Sequence, residues 1–193
     1  MDLLEAIRTR RSVRKVLDEL PDKQLIETVL DAAKYAPNHR NTEPWRFTVL
    51  TGGGRDRLGR VLGALNQEKL AASADSGERE AAMQAGLEKA RRAPVVIVVT
   101  VEPSPLPAVV ESEETAAVSC AVENMLLTAH SLGLGAIWRT GAPAYAAAMK
   151  KQFGASDHSS VLGFIYIGYP DHSYEPAVPE RKAIHELTQW IEA

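Results

Sequence analysis

Pro94-Val95-Val96-Ile97-Val98-Val99-Thr100-Val101 is the stretch that decides the fold. Every residue after the proline is β-branched, and none carries a charge. A strand with one wet face alternates apolar and polar side chains, whereas one covered on both faces is continuously apolar. The run is far too short to span a bilayer, which takes about 20 apolar residues in a helix. It predicts a central strand with apolar layers packed on both sides.

The neighbouring segments supply candidates for those layers. Upstream, residues 55–92 are helical in composition but interrupted by Asp75-Ser76-Gly77, which predicts two helices and a joint. Before them, Trp45 to Leu50 reads as a strand broken by Gly52-Gly53-Gly54. Asp2 to Thr9 has helical spacing, with Leu3, Leu4 and Ile7 apolar. Asp22 is placed to cap a second helix, with Leu25, Ile26, Val29, Leu30 and Ala33 on one face, ending at Ala36-Pro37. Downstream, Pro103, Pro105 and Pro107 make a stiff loop. Glu113 to Leu132 reads as a long helix, buried along Val118, Ala121, Val122, Met125, Leu126 and Ala129 and stopped by Gly133. A short strand at Ala136–Arg139, a helix at Ala144–Phe153, a buried strand at Val161–Ile167 and a terminal helix at Arg181–Glu192 complete the expectation. Strands and helices are intermixed without repeats. The class is α+β or α/β, a sheet packed between helices, in a single domain over residues 1–193.

Apolar residues make up 45% and charged residues 24% of the chain, with net charge -3, so bulk charge gives no nucleic-acid surface. Cys120 is the one cysteine, which fits a reducing compartment, and its helical setting reads as a buried small hydrophobe. The opening MDLLEAIRTRR lacks the apolar core of a signal peptide. A soluble cytoplasmic protein, with no membrane and no nucleic-acid partner, is expected.

No Cys-His set has metal-site spacing, and neither a G-x-S-x-G elbow nor a G-x-x-x-x-G-K-[ST] loop occurs. Gly133-Leu134-Gly135 precedes a strand and reads as a helix stop. With no side-chain nucleophile in evidence, a cofactor is the expected carrier of any reaction. Three segments stand out. Arg10-Arg11-Ser12-Val13-Arg14 places a hydroxyl among guanidiniums where a short helix ends. Such runs are usually solvated faces, yet guanidiniums also bind phosphate in bidentate fashion. In extended backbone Arg10, Ser12 and Arg14 would point one way, with Arg11 and Val13 opposite. Ala36 to Trp45 brackets hydrogen-bonding side chains between Pro37 and Pro44, and reads equally well as an ordinary turn. Trp138-Arg139-Thr140 follows a buried strand, where ligand clefts are commonly lined.

Together, R-R-S-x-R at residue 10, A-P-x-x-x-N-x-x-P-W-x-F at residue 36 and G-x-x-W-R-x-G after the long helix resemble the nitroreductase family, especially its small bacterial members. The likeness runs from Leu4 to about Gly168. It implies an α+β sandwich, with a central, mostly antiparallel sheet flanked by helices, in an intertwined homodimer holding FMN between subunits. It implies that Arg10, Arg11, Ser12 and Arg14 contact the phosphate, ribityl chain or pyrimidine edge. His39 and Tyr35 would reach the partner subunit's flavin, and Trp138, Arg139 and Thr140 would line the cofactor's other side. The segment around Thr128 to Gly133 is similar to one assigned to NAD(P)H in relatives. The implied activity is NAD(P)H-dependent reduction of nitroaromatic or quinone-like acceptors, by ping-pong hydride transfer through flavin N5, with no catalytic side chain and no metal. A flavin carrier or sensor without turnover would use the same binding residues. The region after Arg60 lacks the asparagine and lysine ligands of larger relatives, and Arg181-Lys182 matches their phosphate-binding tail only loosely.

Overall fold

The computed structural model describes residues 1–154 and 156–192. Four strands, β1 (Trp45–Thr51), β2 (Val95–Val101), β3 (Gly135–Arg139) and β4 (Ser160–Gly168), form one antiparallel sheet in the order β1-β2-β4-β3. The apolar run is β2, and all of it is buried. Its odd-numbered residues Val95, Ile97, Val99 and Val101 pack with α2 (Lys23–Ala33) and α5 (Glu111–Ser131). Val96 and Val98 point oppositely, toward α3 (Asp56–Gln67), α4 (Ser76–Ala90) and α6 (Ala147–Phe153) through Leu58, Leu62, Ala90, Met149 and Phe153. Two apolar cores on one sheet therefore explain why β2 never alternates.

Caps set the helix boundaries. The Asp22 side chain accepts from Gln24 N at 2.8 Å, as expected. α2 ends at Ala33, earlier than expected, because Tyr35 N and Ala36 N donate to Ala32 and Ala33 in tighter turns before Pro37. The two expected helices form as α3 and α4, joined by residues 68–75, and Asp75-Ser76-Gly77 starts the second: Asp75 and Glu78 exchange backbone-to-carboxylate bonds of 2.9 and 2.8 Å in a capping box. α6 begins at Ala147, three residues after the expected Ala144.

Two expectations need correction. Arg181–Glu192 is not a helix; it contains one 3-10 turn, Ile184–Glu186. A lone helix of a dozen residues is marginal without a packed face, and here Ile184, Leu187, Trp190 and Ile191 are 64–87% exposed. Cys120 is exposed, not buried, because it falls outside the α5 stripe of Ala117, Val118, Ala121 and Val122.

The segment after α1 (Leu3–Thr9) runs beside the sheet edge, where Val13 N donates to Ala136 O, Leu17 N donates to Tyr169 O, and Val16 bridges Pro170. Gly135 and Gly168, paired across β3 and β4, make room for it. A Cβ at Gly135 would lie 2.8 Å from Val13 Cγ1, and one at Gly168 3.0 Å from Val16 Cβ. This close approach carries the basic run to the strand that ends in Trp138-Arg139. Among the described residues no helix is long and apolar enough to cross a membrane.

Candidate functional site

The basic run divides its charges. Lys15 pairs with Asp171 at 2.9 Å, and bonds from Ser173 and Lys15 hold that carboxyl at about 2. Arg11 Nη1 donates to Arg8 O at 2.7 Å and Arg10 O at 2.8 Å, satisfying a carbonyl left open at the end of α1. Arg10 Nε lies 3.5 Å from Glu123 Oε1 of α5 without a directed hydrogen bond. Among the described residues, Arg14 and Ser12 have neither a hydrogen bond nor an ion pair, and both are exposed.

Arg10, Arg11, Ser12 and Arg14 line a cleft of about 300 Å³ with Tyr174, Pro179 and Arg181. Among the described residues no carboxylate lines it. Arg14 also lines a cavity of about 440 Å³ with Trp138, Arg139, Thr140, Lys89, Phe164 and Tyr166. The structure thus brings seven of the nine sequence-derived candidates around Arg14. The cavity is cationic: the Arg139 guanidinium stands 5.9 Å from the Tyr166 ring centroid, and burial pushes the Tyr166 phenol up to about 12, keeping it neutral. Burial, then repulsion from Arg92 and Arg139, holds Lys89 below its ordinary value. Trp138 Nε1 and Arg11 Nε are buried without hydrogen-bond partners among the described residues.

Tyr35 and His39 do not join this group. Tyr35 is exposed, with Lys34 Nζ 5.1 Å from its ring centroid. His39 Nδ1 meets Glu113 Oε2 at 2.7 Å in the first turn of α5, whereas Arg10 faces Glu123. Ten residues of helix separate those contacts by about 15 Å at 1.5 Å per residue. Within one copy His39 sits at the first turn of α5 and Arg10 beside its middle.

Lys89 and the pair Glu113 and Glu114 carry no local signal. A lysine late in a helix reads as solvated, and acids in a first turn read as dipole complements. Arg181 joins the cleft despite its irregular spacing.

A four-stranded antiparallel sheet between helices, with arginines and a serine beside a strand end, defines the class. The model of the nitroreductase family matches residues 7–169, and the chain belongs to that family. YdjA of Escherichia coli (strain K12) is 32% identical over 170 residues, covering 88% of this chain and 89% of YdjA. The nitroreductase-like family protein of Bacillus cereus is 29% identical with a TM-score of 0.82, covering 100% of this chain and 97% of its own. A Desulfovibrio desulfuricans protein solved in complex with FMN is 27% identical with a TM-score of 0.72, covering 98% and 96%.

Proposed function

We propose that the protein is an FMN-dependent oxidoreductase that takes reducing equivalents from NAD(P)H and passes them to nitroaromatic or quinone-like acceptors as a homodimer. One observation carries the reading: Arg14 lines both the arginine-serine cleft and the aromatic cavity, joining a cationic site to a site fit for a planar ring. The D. desulfuricans relative, solved with FMN, supports the choice of cofactor.

The donor set fits the group. Arg10, Ser12 and Arg181 offer donors to a dianionic phosphate; among the described residues no carboxylate lines the cleft, and Glu123 stands beside Arg10. Arg14 and Lys89 supply cations at the cavity, suited to negative charge on a reduced ring's pyrimidine edge. Trp138, Arg139 and Thr140 border the same cavity from the strand end. FMN bound there supplies two-electron chemistry at N5, so the side chains bind, orient and set the electrostatics. Tyr35 and His39, which line neither the cleft nor the cavity, would serve a second copy's site. Exposed Leu3, Leu4 and Ile7 on α1, with Val178, Leu187, Trp190 and Ile191 in the tail, supply apolar surface for that copy.

The test is anaerobic addition of NADH or NADPH to the purified protein. The expected result is a yellow protein that bleaches with either nucleotide and recovers colour with a nitroaromatic acceptor. A protein that stays colourless after incubation with FMN would overturn the reading.

A further inference from the structure

The loop bearing His39 is held in an unusual backbone. Arg40, Asn41 and Glu43 have φ of 64°, 51° and 48°, a left-handed region that non-glycine residues rarely occupy. Such conformations persist where surrounding contacts over-determine them, and they cluster at functional sites. Here the contacts come from two adjacent acids in the first turn of α5. Glu114 is buried and accepts from Thr42 Oγ1 at 2.6 Å and from Ser104 N at 3.1 Å, tying the loop to the proline-rich segment. Asn38 Oδ1 accepts from Glu43 N at 3.1 Å and closes the loop on itself. Glu113, on the outer side of the turn, takes His39 Nδ1 at 2.7 Å.

A carboxylate only accepts, so Nδ1 carries the shared proton and Nε2 is the ring nitrogen left for anything outside the chain. Acids in a first turn complement the helix dipole without touching a histidine. Dipole complementation therefore does not account for the direct contact, nor for its place on a left-handed loop.

We propose that Glu113 is a positioning residue: it fixes the tautomer and ring direction of His39, so that Nε2 is presented to the cofactor site of a second copy, with Glu114 holding the loop in register. The proposal rests on the FMN reading above and goes beyond it by assigning the device that orients the partner-side contact.

Histidine-selective ¹⁵N NMR, with the His39 signal assigned by its loss in His39→Ala, reads the tautomer directly. FMN titration followed by quenching of flavin fluorescence reads the consequence. The wild type is expected to show protonated Nδ1. Glu113→Ala should move His39 to the Nε2-protonated form and weaken FMN binding by up to about fivefold, the upper range of an exposed charged pair. Glu113→Gln, which still accepts, should retain most of both properties. Glu111→Gln removes a similar charge from the same turn and should change neither. In a His39→Ala background, Glu113→Ala should add nothing. An unchanged His39 tautomer in Glu113→Ala, or an equal loss of FMN affinity with and without His39, would overturn the positioning role alone. A wild type that does not bind FMN overturns the cofactor reading and this assignment together, whatever the NMR shows.

Discussion

Arg14 is the side chain through which one end of the site speaks to the other. It is exposed, lacks a protein partner among the described residues, and borders both the arginine-serine cleft and the aromatic cavity. Arg14→Ala should therefore lower the flavin reduction potential, on the order of 30 mV, which for a two-electron couple is about 1.4 kcal/mol. Spectroelectrochemical titration checks this, and an unchanged potential removes Arg14 from the role. His130 offers a second test at this scale. Thr9 Oγ1 donates to Glu5 O and receives His130 Nε2 at 2.8 Å. Burial, then the Arg10 and Arg11 charges, holds the imidazole below its ordinary 6.5. The neutral form is thus favoured in the folded state. Above pH 6.5 both folded and unfolded states are neutral, and this group adds no pH dependence. As pH falls through 6.5 the unfolded chain protonates first, so stability drops until the lower folded value is passed. Urea melts of His130→Gln should lose that part of the acid slope. An unchanged slope would show that His130 plays no part in it.

Among the elements, the basic segment beside β3 is the fold's main device for building the site. Gly135→Ala would press a methyl against Val13 and Val16, with Val13 Cγ1 at 2.8 Å. It should destabilise by about 1–3 kcal/mol, equivalent to some 2–12 °C in Tm at about 2–4 °C per kcal/mol for a chain of this size. Calorimetry that shows no loss would mean the segment yields freely. Glu114→Ala leaves Ser104 N and Thr42 Oγ1 without their acceptor and should cost about 1–3 kcal/mol in denaturant melts. A neutral result would mean the His39 loop keeps its shape without the clamp. These elements also show what a linear sequence carries. R-R-S-x-R and W-R-T are legible because each is contiguous, and β2 because its patterning is local. Their meeting is implied by the family resemblance alone and not by local pattern, since it depends on Val13 N reaching Ala136 O across more than a hundred residues and on two glycines facing each other over the β3–β4 ladder. Lys89 escapes notice because only tertiary packing turns that face of α4 toward Arg139. The terminal helix fails for the converse reason. Its apolar period is present, but the surface that would make it pay is not within one copy.

For the whole molecule, the placing of candidate residues along α5 bears on the proposed dimer. Arg10 lies toward Glu123 and His39 lies at Glu113, and the proposed homodimer would bring His39 of one copy to the cleft of the other. Removing residues 176–193, which include exposed Val178, Leu187, Trp190 and Ile191, should shift the protein toward monomer and weaken FMN retention together. Light scattering of the truncated chain checks this, and an unaltered dimer would leave the tail without a part in assembly. The central claim is that arginines from one copy and a clamped histidine from another enclose one flavin each way. Sedimentation velocity recorded at both protein and flavin absorbance tests it most directly. The account predicts a single yellow species of two chains carrying two FMN; a colourless monomer, or flavin sedimenting free of the protein, would contradict it.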